Sequence, residues 1–67
     1  MKNNVKYLRR SKEFDISQEE LAAALGVSRS TISHLERGGE ISGSLLLKVS
    51  EFFGKDPREI FFTRDVV

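Results

Sequence analysis

The chain has no cysteine among its 67 residues, so disulfides and thiolate zinc sites are excluded. It has a single histidine, and one imidazole without thiol partners does not make a structural metal site. No apolar run approaches the roughly 20 residues that a membrane-spanning helix needs. Met1-Lys2-Asn3-Asn4 leads into charged residues rather than an apolar signal core, so the sequence reads as cytoplasmic and unprocessed. Net charge is also scarce, at +1. Residues 1–37 carry seven basic against five acidic groups, and the remainder four against five. Charge alone therefore permits an anionic partner without demanding one.

Positively, the length suits one domain, residues 1–67. A core of this size is marginal, because a chain of about 60 residues buries only about 60% of its unfolded surface. Self-association would help.

The punctuation is helical throughout. Residues 3–12 place Val5 and Leu8 on one stripe with a basic exterior of Lys2, Lys6, Arg9, Arg10 and Lys12, predicting a first helix. Phe14-Asp15-Ile16 breaks the pattern as a loop with two apolar anchors. Ser17-Gln18-Glu19-Glu20 is a capping box, and Leu21, Ala22 and Leu25 form the inner face of a second helix. Gly26 ends it, Val27 is an apolar plug, and Ser28 caps a third helix that buries Ile32 and Leu35. Gly38-Gly39 stops that helix. Ser42 or Ser44 caps a fourth, running to Phe53 with Leu46, Val49, Phe52 and Phe53 as expected core. Asp56-Pro57-Arg58-Glu59 opens a short fifth helix with proline at its first position. No alternating strand pattern of useful length is present. The prediction is an all-α, five-helix domain.

The informative stretch is residues 18–37. A glycine corner at Leu25-Gly26-Val27-Ser28 reverses the chain in few residues. Small Ala22 permits close helix crossing, and the pairs Leu21/Leu25 and Ile32/Leu35 fix the angle. The outer face of the third helix is left short, polar and free to project. A helix of that width fits the major groove of DNA, where each base pair shows a distinct set of donors and acceptors.

Gln18-Glu19-Glu20-Leu21-Ala22, Leu25-Gly26-Val27-Ser28-Arg29-Ser30-Thr31-Ile32-Ser33 and Leu35-Glu36-Arg37-Gly38 together resemble the helix-turn-helix of the Cro and lambda-repressor type, the XRE family. The resemblance covers residues 4–62. It implies a lambda-repressor-like fold with a recognition helix at residues 28–36 set in the major groove. It implies a DNA-binding surface of Gln18, Ser28, Arg29, Ser30, Thr31, Ser33, His34 and Arg37. Gln18 matches a phosphate contact that braces the first base contact, and Thr31 and Arg37 match neighbouring phosphate contacts. Arg9 or Arg10 is expected to pair with Glu36. Two departures stand out: residues 12–16 are longer than the usual turn, and residues 38–42 are shorter and lack the frequent proline.

The implied function is transcription regulation, as a repressor, by a homodimer on a roughly palindromic double-stranded operator. Ile60, Phe61 and Phe62 are the expected dimer interface, with Val66 and Val67 extending the patch. A competing reading is a protein-interaction or antitoxin-like module that uses the fold as scaffold. An enzyme is the poorest fit. No nucleophile–base pair, phosphate-cradling glycine loop or metal set is present, and no cofactor or small-molecule substrate is expected.

Overall fold

The computed structural model describes residues 2–62. Along the chain run β1 (Lys2–Asn3), α1 (Val5–Arg9), α2 (Gln18–Leu25), α3 (Arg29–Glu36), α4 (Gly43–Phe53), α5 (Pro57–Ile60) and β2 (Phe61–Phe62). The five expected helices are all present, and the fold is all-α apart from one small strand pair.

α1 is half the length expected, because side chains capture its neighbours at both ends. Asn3 is drawn into an antiparallel ladder opposite Phe61, with Lys2 opposite Phe62. The Asn3 side chain accepts from the Val5 amide at 3.1 Å, and the Asn4 amide donates to the Ile60 carbonyl at 3.1 Å. These bonds offer the backbone an alternative to another helical turn. Past Arg9, the Ser11 hydroxyl donates to the Leu8 carbonyl and the Ile16 amide reaches back to the Arg9 carbonyl. Asp15 adopts φ 43°, a left-handed conformation that aspartate tolerates better than most residues. This turn brings Phe14 and Ile16 onto the core.

α2 carries the expected capping box. Ser17 Oγ accepts from the Glu20 amide at 3.0 Å, and Glu20 Oε1 accepts from the Ser17 amide at 2.8 Å. Gly26 ends it at φ 71°, a conformation that costs a residue with a Cβ roughly 1–2 kcal/mol. Ser42, not Ser44, caps α4 by accepting from the Leu45 amide. Along the helix, Leu45, Val49 and Phe53 share the buried stripe at four-residue spacing. Leu46 and Phe52, expected in the core, are instead half-buried against it. Phe52, Phe53 and Phe14 form an aromatic triplet with ring centroids 4.9–5.6 Å apart. Tilted and edge-on contacts of this kind suit the ring quadrupoles.

Leu21, Ile32, Leu35, Ile60, Val5 and Val49 are fully buried, so α1 through α5 each contribute to one core. Burying each of these side chains is worth about 1.5–3 kcal/mol. Ile60 and Phe61 correct the expectation that they face a second copy. One turn of α5 delivers Ile60 into the core at 0% exposure, and strand alternation turns Phe61 in after it at 6%. Phe62 alternates outward and is 44% exposed. Val66 and Val67, the rest of the expected patch, lie outside the described residues.

Candidate functional site

The site is built around α3. At its start, Ser28 Oγ accepts from the Thr31 amide at 3.2 Å and shares a hydrogen bond with Thr31 Oγ1 at 2.9 Å. The two hydroxyls close a small cap, so Thr31 is engaged with its own helix and half-buried. Ile32 and Leu35 anchor the inner face at 0% and 1% exposure. The opposite face carries Arg29, Ser30 and His34 exposed and Ser33 half-buried. Among the described residues, the Arg29 and Ser30 side chains have no hydrogen-bond or ionic partner. They lie in the first turn of α3, where the helix dipole is positive and amides are free.

The far end of α3 is clamped. Glu36 receives three donors: Arg9 Nε at 2.7 Å, Arg9 Nη2 at 3.2 Å and Gln18 Nε2 at 3.0 Å. Arg9 is therefore the helix-1 partner of Glu36, while Arg10 is exposed. The remaining arm of Arg9 donates to the Ile16 carbonyl at 2.9 Å, tying the long α1–α2 turn to the same centre. Asn3 Nδ2 donates to the Leu35 carbonyl at 2.8 Å, a second donor to an oxygen that also accepts from the Gly38 amide at 3.0 Å. Arg37 Nε donates to the Ser33 carbonyl at 3.3 Å, and the side chain remains exposed.

His34 is occupied locally. Its Nε2 lies 3.2 Å from the Glu40 carbonyl, and its ring covers Gly39 so closely that a Cβ there would collide with it. Of the eight expected contact residues, the structure thus gathers Ser28, Arg29, Ser30, Thr31, Ser33, His34 and Arg37 on or beside one helix. It places Gln18 at the start of α2 with its amide on Glu36. Asn3 escaped the sequence reading, because its role depends on a strand of two residues, too short to leave a period.

The profile of the helix-turn-helix family matches residues 5–60. The chain belongs to this helix-turn-helix family. It is 42% identical over 66 residues to an uncharacterised HTH-type transcriptional regulator of Methanocaldococcus jannaschii, covering 97% of each chain. It is 36% identical over 66 residues to an uncharacterised HTH-type transcriptional regulator of Bacillus subtilis, again covering 97% of each.

Within the helix-turn-helix frame, α2 and α3 are the paired helices and Gly26 to Ser28 is their turn. The Arg9–Glu36–Gln18 cluster links the first helix of the domain to both members of that pair. Among the described residues, no helix is long and apolar enough to cross a membrane. No group of three metal-ligating side chains is found among them either.

Proposed function

We propose that this helix-turn-helix protein binds double-stranded DNA sequence-specifically and regulates transcription in the cytoplasm as a repressor. The observation that carries the reading is the state of α3. Its inner face is buried, its C-terminal end is clamped through Glu36, and Arg29 and Ser30 stand exposed and unengaged on its outer face. A rigid helix with free donors is what base-edge recognition in the major groove requires. Arg29 is the candidate for guanine O6 and N7, and Ser28, Ser30 and Ser33 for shorter contacts to bases or phosphates. Gln18, Thr31 and Arg37 are assigned to the backbone on either side. His34 joins through the end of its ring left outside the Glu40 contact.

The two relatives named as HTH-type transcriptional regulators support the regulatory half of this reading. Two copies act as a homodimer, presenting recognition helices about 34 Å apart to a roughly palindromic site. Among the described residues of the C-terminal apolar set, Phe62 is the one left exposed for pairing. Titration of purified protein against fragmented genomic DNA at two salt concentrations tests the proposal. Selective retention of a few fragments that persists at the higher salt is expected. Binding with no preference at low salt would overturn it, and stable capture of a protein partner without DNA affinity would favour the scaffold reading.

A further inference from the structure

Beside the C-terminal end of α3, helix α1 and the turn after it form a shallow concavity whose lining includes Lys6, Tyr7, Arg10, Ser11, Lys12 and Glu36. Lys6, Tyr7, Arg10 and Lys12 are all exposed, Tyr7 by 74%. Among the described residues, none of the three cations is paired with a carboxylate. Glu36, the acidic member of the lining, already receives donors from Arg9 and Gln18, and its side chain is almost wholly buried. The concavity therefore presents uncompensated positive charge with a phenol hydroxyl beside it.

Fold stability explains only part of this. Lys6 and Arg10 suit the negative end of α1, but Lys12 lies beyond the helix, and three like charges around one hollow repel. The hollow is continuous with α3 through Glu36. A duplex that takes the outer face of α3 into its major groove carries one phosphate strand past each side of that helix.

We propose that the Lys6–Arg10–Lys12 concavity is a second backbone-binding surface, seating the phosphates that flank the groove occupied by α3. This rests on the DNA-binding reading above and adds to it a footprint longer than the α2–α3 unit alone provides. Contacts of this kind position the protein without reading sequence, and each carries a salt signature. Neutralising one phosphate contributes about 0.9 to the slope of log K against log salt.

The experiment measures that slope on a selected fragment for the wild-type protein, the triple variant K6Q/R10Q/K12Q, and K55Q as a remote neutralisation control. The expected result is a slope shallower by about 0.9 for each phosphate that the variant no longer neutralises, per bound copy. The order of preference among fragments should be retained, and a hydroxyl-radical footprint should retract at its outer edges. K55Q should keep the wild-type footprint. The charge-preserving variant K6R/R10K/K12R should keep the wild-type slope. Should the triple variant unfold by circular dichroism, R10Q and K12Q singly carry the same test. Unchanged slope and footprint in a folded neutralised variant, with wild-type protein binding normally, overturn this proposal and leave the DNA reading intact. Failure of wild-type protein to bind any duplex overturns both.

Discussion

The Arg9 guanidinium and the Glu36 carboxylate meet at 2.7 Å across 27 residues of sequence, with side-chain exposures of 9% and 4%. At that depth the desolvation of both ions largely offsets their attraction, but removing one partner strands the other. Glu36→Ala should therefore lower unfolding stability by about 3 kcal/mol or more. The double variant R9M/E36L should lose much less than the sum of its single changes. A double-mutant cycle from urea unfolding, with m-values compared to confirm two-state behaviour, measures the coupling. Additive losses would show that the pair does not act as a unit.

If the proposed DNA reading holds, Gln18 and Arg29 should behave as two different kinds of contact. Gln18 donates to Glu36 and stands at the amino end of α2, where its effect is not tied to one base. Gln18→Ala should weaken binding across all sequences alike. Arg29, exposed and unengaged in the first turn of α3, should instead cost about 1–3 kcal/mol at one base position when changed to alanine. Competition against a panel of singly substituted operators distinguishes them. An equal loss on every operator for Arg29→Ala would make it a phosphate contact.

The helix-turn-helix was legible because its signals are local. Ser17/Glu20 and Asp56/Glu59 are capping boxes written within four residues, and both form. Gly26 is a stop signal that needs no tertiary information. The misreadings arose where distant partners decide. Residues 3 and 4 look helical until Phe61 and Ile60 arrive to take their hydrogen bonds. Leu45 and Leu46 are indistinguishable until packing against the other helices buries Leu45 and leaves Leu46 at its edge. Ile60 and Phe61 resemble an interface in a chain with many aromatics, but a core this small consumes them. The clamp on Glu36 was half visible: its acidic residue was evident, and only packing distinguishes Arg9 from Arg10.

Two glycines flanking α3 should fail for different reasons. Gly26 has φ 71°, and a Cβ added there would meet nothing within 4 Å, so Gly26→Ala suffers backbone strain alone, about 1–2 kcal/mol. Gly39 has no positive φ, but a Cβ there collides with the His34 ring. Gly39→Ala should push that ring off the Glu40 carbonyl and cost about 1 kcal/mol, at the low end for overpacking because a side chain can yield. His34→Ala should remove most of that penalty, whereas it should leave the Gly26→Ala cost untouched. Thermal unfolding of the singles and doubles checks both. An undiminished Gly39→Ala cost in the His34→Ala background would refute the steric account.

Asp56 gives the fold a dependence on acid. Its Oδ1 accepts from Arg58 Nε at 3.1 Å and from the Arg58 amide at 2.8 Å. The Arg58 side-chain bond first, then the amide bond, hold the carboxyl below the usual aspartate range, with slight burial working the other way. A carboxyl depressed on folding stabilises the native state fully above its unfolded pKa, about 3.9, and that contribution is lost as pH falls through the lower folded value. Asp56→Asn keeps a capping oxygen for α5 but has no charge to lose. Urea midpoints measured from about pH 7 down to about pH 2.5 should therefore fall less steeply below about pH 4 in D56N than in wild-type protein. The two profiles should run parallel near neutrality. The difference should be modest and shrink in high salt, since the pair is exposed. Identical acid limbs would mean that the carboxylate adds nothing as an ion and that its oxygen alone holds α5.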